Sequence, residues 1–309
     1  MSEALRTAVL IPCYNEEAAI TSVINDFRRA LPDAQIYVFD NNSKDKTIEV
    51  ARAAGAIVRS EPLQGKGNVV RRMFADIEAD IYVLVDGDAT YDAASAPIMI
   101  KRLLDNQLDM VNGARVTEIE KAYRPGHRFG NWLLTSMVSW IFGNRFKDML
   151  SGYRVFSRRY VKSFPALAAG FETETELTVH ALELRMPIEE MATPYKDRPE
   201  GSTSKLSTFK DGFRILWTIL VLVKEEKPMQ FFSLIGAILG LIAIILFLPI
   251  LEEFFQTGLV PRLPTAILSM GLMGMASLSF ACGLILDTVT RGRCEMKRMR
   301  YLNIPATQR

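Results

Sequence analysis

Cysteine is scarce in this chain of 309 residues: there are three, Cys13, Cys282 and Cys294, and no two form a C-x-x-C pair. That excludes a disulfide framework or zinc ribbon and fits a reducing compartment. Histidine is scarcer, with His127 and His180 alone. His180 stands three residues before Glu183 in a helical pattern over 174–185, and an H-x-x-E pair with no further ligand reads as an ordinary helix face; His127 reads as a loop residue. Excess charge is also missing. A net charge of +2 gives no global drive toward nucleic acid, so an electrostatic partner must be met by a local patch. No G-x-G-x-x-G follows the first apolar run, which argues against a dinucleotide enzyme. Gly65-Lys66-Gly67 lacks the first glycine and the Ser/Thr of a phosphate-binding P-loop. The first residues lack a basic n-region and a cleavage site, and they read as the lead-in to a strand.

Apolar residues are plentiful, at 49% against 23% charged, but unevenly spread. Up to about residue 206, short runs rich in Val, Ile and Tyr at 7–11, 35–39, 56–59, 81–85 and 109–113 read as strands. Between them, Ile20, Val23, Ile24, Phe27 and Leu31 recur at helical spacing, as do Val69, Val70, Met73 and Ile77. Strand–helix alternation predicts an α/β domain with a mostly parallel sheet, helices on both faces, and ligands beyond the carboxyl ends of the strands.

The last third is different. Residues 229–251 and 264–286 carry no charge, and each stretch is long enough to span about 30 Å of hydrocarbon as a helix. Gly236, Gly240, Gly271 and Gly274 offer small residues for close helix approach and leave room for a homo-oligomer through this region. The connection carries Glu252 and Glu253, whereas the tail holds Arg291, Arg293, Lys297, Arg298, Arg300 and Arg309 against Glu295. The positive-inside rule then puts both ends of the hairpin on the cytoplasmic side of the inner membrane. The expected organisation is a cytoplasmic catalytic domain over 1–206 and amphipathic juxtamembrane helices over 207–228. Two transmembrane helices over 229–287 and a basic cytoplasmic tail over 288–309 follow.

Three acidic loops close predicted strands: Ile11-Pro12-Cys13-Tyr14-Asn15-Glu16-Glu17, Asp40-Asn41-Asn42-Ser43-Lys44-Asp45-Lys46-Thr47, and Asp86-Gly87-Asp88. Asp45 and Glu17 serve equally well as helix-start residues. The pair Asp86 and Asp88 does not. Two carboxylates at i and i+2 after a buried strand repel unless a cation is near, and hard divalent ions take carboxylate and diphosphate oxygens together.

These motifs in order, with Gly65-Lys66-Gly67-Asn68, resemble inverting family 2 glycosyltransferases of the GT-A fold. Gly113-Ala114-Arg115, Asp148-Met149-Leu150-Ser151-Gly152-Tyr153-Arg154 and Arg198 followed by Ser204-Lys205 are similar to the polyprenyl-phosphate branch. That branch includes the dolichyl-phosphate mannose synthases and bacterial polyprenyl-phosphate glucosyltransferases. The resemblance implies a nucleotide-sugar donor, a polyprenyl-phosphate acceptor at the membrane, and Mg²⁺ or Mn²⁺. Pro12, Tyr14, Glu16 and Asp40 would line the base and ribose pocket, Lys66 would sit near the nucleotide, Asp86 would contact the donor and Asp88 would hold the metal. Arg115, Arg128 and Arg198 would bind the acceptor phosphate, with Ser204 and Lys205 beside it and Asp148 orienting it. Glu172 and Glu174 lie in a segment that neighbours the active site in related synthases. Where mannose synthases often carry Gln, two residues after the second Asp, this chain has Thr90. A UDP-sugar is the favoured donor, with GDP-mannose the alternative. A processive polysaccharide synthase is disfavoured, because no Gln-x-x-Arg-Trp occurs and two spans are too few for a polymer channel. A binding scaffold without turnover leaves the second phosphate site unexplained.

Overall fold

The computed structural model describes residues 5–116, 136, 146, 148–168, 170, 172–196, 217 and 220–306. Arg128, Arg198, Ser204 and Lys205 lie outside them, as do His127 and most of the expected amphipathic stretch over 207–228. The chain divides into two units, Met1–Ile215 with Met296–Arg309, and Leu216–Glu295.

The first unit is built on a seven-stranded sheet. Its strands are β1 (Thr7–Cys13), β2 (Gln35–Asp40), β3 (Ile57–Ser60), β4 (Ile81–Leu84), β5 (Met110–Val116), β6 (Arg154–Ser157) and β7 (Ile188–Pro194), in the order β3-β2-β1-β4-β6-β5-β7. Four strands on one side are parallel, with Val9 opposite Ile36 and Val83. β6 runs antiparallel to both β4 and β5, and β7 runs parallel to β5. The sheet is therefore mixed and mostly parallel, as the alternation predicted.

That single reversal matters for the site. The carboxyl ends of β1, β2, β4, β5 and β7 share one edge, and the residues leading into the reversed β6, 148–153, arrive at the same edge. The order also steps outward from β1 in both directions, which opens the crevice between β1 and β4 where such sheets bind ligands.

Helices α1 (Ile20–Ala30), α2 (Thr47–Ala53), α3 (Lys66–Asp76) and α4 (Ser95–Asp105) connect the first five strands, and α5 (Arg158–Ser163) and α6 (Thr173–Glu183) follow β6. The spacing read from the sequence is the packing: Ile20, Val23, Ile24 and Phe27 of α1 are buried against Val9, Ile11, Val38 and Val83. His180 of α6 lies on a buried helix face. Its Nε2 is 3.2 Å from Ser163 Oγ, the rings of Tyr160 and Phe164 flank it, and burial with Lys297 nearby pushes its pKa down to about 3.

The second unit contains α7 (Pro228–Thr257) and most of α8 (Leu263–Leu302). Both are long and apolar enough to cross a membrane, with mean hydropathy of 3.0 and 1.7 over their most apolar stretches, of which 11% and 17% is buried. α7 starts with Pro228 and ends at Gly258, whose left-handed φ of 69° suits a helix stop. Between the helices, Ser279 Oγ donates to the Phe232 carbonyl at 2.9 Å, and a side chain at Gly236 would meet the Ala276 carbonyl oxygen at 3.0 Å. Gly271 and Gly274, also expected at a helix contact, face open space. From Met296 onward α8 belongs to the first unit, where Lys297 pairs with Glu183 at 2.6 Å and the Tyr301 hydroxyl donates to Asp109 at 2.7 Å. Asp109 precedes β5, so these contacts lie at the end of the sheet opposite the acidic loops.

Candidate active site

The loops after β1, β2 and β4 each contain a residue with positive φ: Asn15 (55°), Asn42 (65°) and Ala89 (59°). Asparagine adopts this conformation readily. Alanine does so at a cost of about 1–2 kcal/mol, so strain is held directly beside Asp88. The loops are also laced together. Glu17 Oε2 accepts from Lys46 N at 2.7 Å, and Asp45 accepts from Glu17 N at 3.2 Å and from Thr47 N at 3.0 Å. Glu17 and Asp45 thus act as loop ties. Glu16 N donates to the Thr47 hydroxyl oxygen at 2.9 Å. Asn41, a residue with no role legible in its motif, brackets the approach to α3: its amide donates to the carbonyls of Glu61 and Leu63 and accepts from Gly65 N at 2.7 Å. Pro12 and Tyr14 are half-buried beside them. Asp40 is buried; one oxygen accepts from Ser43 N at 3.1 Å, and among the described residues Oδ1 has no hydrogen-bond partner.

Lys66, at the start of α3, reaches Asp86 Oδ1 and Glu174 Oε1, each at 2.5 Å. Burial alone would lower its pKa, but the two carboxylates outweigh it and hold the ammonium well above its ordinary value. Asp86 is confined from the other side: a methyl group on Gly152 would lie 2.3 Å from Asp86 Oδ2. Gly152 is fixed in turn, since its N–H donates to the Tyr91 hydroxyl at 2.9 Å. Asp88 is buried, and Thr90 donates to its Oδ1 from Oγ1 at 2.6 Å and from N at 3.3 Å. Thr90 therefore orients the second aspartate.

Asp86 and Asp88 fit a hard divalent cation by donor chemistry. Among the described residues no group of three or more His, Cys, Asp or Glu is arranged to hold one, so the described protein offers at most this pair. One or two carboxylates with phosphate oxygens completing the shell is the usual pattern for Mg²⁺.

Arg115, near the end of β5, and Asp148, before β6, form a two-pronged ion pair: Nε to Oδ2 at 2.7 Å and Nη2 to Oδ1 at 2.8 Å, with Arg115 N adding 3.1 Å to Oδ2. Burial would raise the Asp148 carboxyl, but the Arg115 hydrogen bonds and charge hold it below the usual carboxylate range. The guanidinium also lies 5.6 Å from the Tyr195 ring centre. Glu190 of β7, absent from the sequence reading, joins this group by accepting from Asp148 N at 3.0 Å and Asn112 Nδ2 at 3.1 Å. A cleft of about 510 Å³ opens beside Asp86, with Asp26 and Arg29 of α1, Tyr91, Asp92 and Lys196 on its walls. Of the expected site residues that are described, Asp86 lines it.

A family model described as glycosyl transferase family 2 matches residues 8–163, about half of the chain. The chain belongs to that family. Glycosyltransferase AglJ of Haloferax volcanii is 34% identical over 234 residues, covering 74% of this chain and 75% of that one. Dolichyl-phosphate hexose transferase of the same organism is 28% identical over 220 residues, covering 71% and 95%. Protein RfbJ of Shigella flexneri is 61% identical over 129 residues, covering 41% of this chain and all of the relative. Among solved structures, glucosyl-3-phosphoglycerate synthase from Mycobacterium tuberculosis shares the fold, with a TM-score of 0.59, 23% identity and coverage of 72% and 80%. The chain is thus a family 2 glycosyltransferase with a GT-A-like fold, related to dolichyl-phosphate hexose transferases, and the likeness read from its ordered motifs holds.

Proposed function

We propose that this family 2 glycosyltransferase moves a hexose from a nucleotide sugar, a UDP-sugar being favoured, to a polyprenyl phosphate at the cytoplasmic membrane face, with inversion. The observation that carries the reading is the convergence on one sheet edge of a carboxylate pair with a largely buried lysine (Asp86, Asp88, Lys66) and a half-buried arginine paired to a buried carboxylate (Arg115, Asp148). The first suits a diphosphate with its cation, and the second a further anion. Two long apolar helices on the same chain suit a lipid acceptor. The relative named dolichyl-phosphate hexose transferase, and a glucosyl-3-phosphoglycerate synthase solved with Mn²⁺ and UDP, support the same chemistry.

In this reading Pro12, Tyr14, Glu16 and Asp40 hold base and ribose, with Asp40 Oδ1, which has no partner among the described residues, accepting a hydroxyl or amide hydrogen. Lys66 and Asp86 meet the diphosphate side of the donor. Mg²⁺ or Mn²⁺ held at Asp88, assisted by Asp86, would neutralise charge on the leaving nucleoside diphosphate. The acceptor is a phosphate monoester, largely ionised near neutral pH, so its oxygen attacks the anomeric carbon without a general base while the bond to the donor phosphate breaks. Arginine suits the task of positioning it, because the guanidinium fork matches phosphate oxygens. Arg115, Arg128 and Arg198, with Ser204 and Lys205, are assigned there, and Asp148 fixes the Arg115 fork instead of serving as a base.

The test offers the purified full chain a panel of UDP- and GDP-sugars with undecaprenyl phosphate and Mg²⁺ or Mn²⁺. Labelled lipid-phosphate sugar from one donor is expected; release of free sugar with no lipid product overturns the reading. Both termini should be cytoplasmic: a reporter after Arg309 should read cytoplasmic and a tag at Gln256 should be reachable from the other side. Both on one side would rule out the hairpin.

A further inference from the structure

The run Glu172-Thr173-Glu174-Thr175-Glu176 places three carboxylates at the start of α6, and the structure separates their uses. Glu176 is committed to the backbone, accepting from Leu167 N at 2.8 Å and Ala168 N at 2.9 Å. Glu174 points elsewhere: its side chain is buried, Oε1 pairs with Lys66 at 2.5 Å, and Oε2 is buried with no hydrogen-bond partner among the described residues. A buried carboxylate with a single described partner is costly to keep, and its charge is tolerated here because the largely buried lysine supplies the opposite charge in direct contact.

The Lys66–Glu174 pair is set by the backbone as well as by two side chains. Gly67, the next residue after Lys66, packs so tightly against the lead-in to α6 that a methyl group there would lie 2.1 Å from the Ala168 carbonyl oxygen and 2.6 Å from Thr173 Oγ1. Arg154, wholly buried, fixes the α6 side. It donates to the Glu174 carbonyl at 3.0 Å, to Thr178 Oγ1 at 2.8 Å, and to the carbonyls of Met149 and Ser151 at 2.6 and 3.0 Å. One guanidinium thereby ties the first turn of α6 to the 148–152 segment that carries Asp148 and confines Asp86.

We propose that Glu174 is a positioning residue for the donor site: it holds the Lys66 ammonium in place from behind, so that Lys66 stays directed at the diphosphate when Asp86 turns to the donor. The inference rests on Lys66 lying in the donor site. Without Glu174, Asp86 would be the sole described carboxylate on Lys66, and donor binding would compete for it. A merely structural acid would stabilise α6 without regard to Lys66, which gives the two roles different signatures.

The experiment is a double-mutant cycle on the full chain, titrating UDP and GDP with Mn²⁺ present. Glu174→Gln is expected to weaken the nucleotide that the unsubstituted chain binds by about tenfold, and by less than twofold in a Lys66→Ala background. Glu174→Asp, which keeps the charge but withdraws it by one methylene, should fall between and serves if the Gln variant unfolds. Equal losses in both backgrounds, or no loss from Glu174→Gln while Lys66→Ala weakens binding, would overturn the proposal and leave the donor reading intact. An unchanged affinity in Lys66→Ala itself would instead remove Lys66 from the donor site, and the proposal with it.

Discussion

Asp88→Asn should lower sugar transfer by about a thousandfold, roughly 4 kcal/mol of transition-state stabilisation, while the catalytic unit stays folded. The substitution separates charge from shape. Both contacts from Thr90 end on Asp88 Oδ1, and an asparagine carbonyl oxygen can accept both in the same geometry. What disappears is the carboxylate charge that, with Asp86, would hold a divalent cation against the leaving diphosphate. Chelation with EDTA should mimic the substitution, and added Mn²⁺ or Mg²⁺ should restore the unsubstituted chain alone. The readout is the initial rate of lipid-linked product, with thermal unfolding as the control for folding. Near-normal turnover in Asp88→Asn, or indifference to EDTA, would remove the metal from the proposal.

The legibility of this site followed the physics of local and non-local structure. β1, β2 and β4 are buried runs with few neighbours to choose among, so Asp40, Asp86 and Asp88 could be placed at one sheet edge from strand–helix alternation alone. β6 is four residues, Arg-Val-Phe-Ser, too short for a period, and β7 contains Glu189, Glu190 and a terminal Pro194, which local propensity reads against a strand. The reversal of β6 is a choice made by tertiary packing, and it brings residues 148–152 to the edge that carries Asp86 and Asp88. For the same reason the partner of Lys66 across more than a hundred residues, and the use of Arg154 as a buried tie, left no mark that spacing could reveal. Thr90 could be read only as a departure from a family pattern; its hydrogen bond to Asp88 supplies a physical role for the smaller side chain. The repeated acids over 172–176 were visible, but which of them faces the lysine depended on how α6 packs on α3.

Arg115→Ala should destabilise the catalytic unit by about 3–5 kcal/mol, because it leaves the buried Asp148 carboxylate without the guanidinium that offsets its burial. The sign of the pH dependence follows. In the unsubstituted chain the Asp148 pKa is lowered on folding, so this contribution is present above the ordinary carboxylate value of about 4 and is lost as pH falls through the lower folded value. In Arg115→Ala burial acts with its chief opponent gone, the protonated acid is favoured, and the deficit against the unsubstituted chain should narrow as pH is lowered. Adding Asp148→Asn should recover more than half of the lost stability, since a neutral amide at that position needs no counter-charge. Acceptor use should not recover with it: if Arg115 positions the lipid phosphate, the double variant melts near the unsubstituted chain yet transfers sugar at least tenfold more slowly at a given polyprenyl-phosphate concentration, with nucleotide affinity unchanged. Thermal unfolding, nucleotide titration and acceptor-dependent rates on the three variants distinguish the two duties. Full return of transfer in Arg115→Ala/Asp148→Asn would make the pair a structural brace and move the acceptor site to other cations.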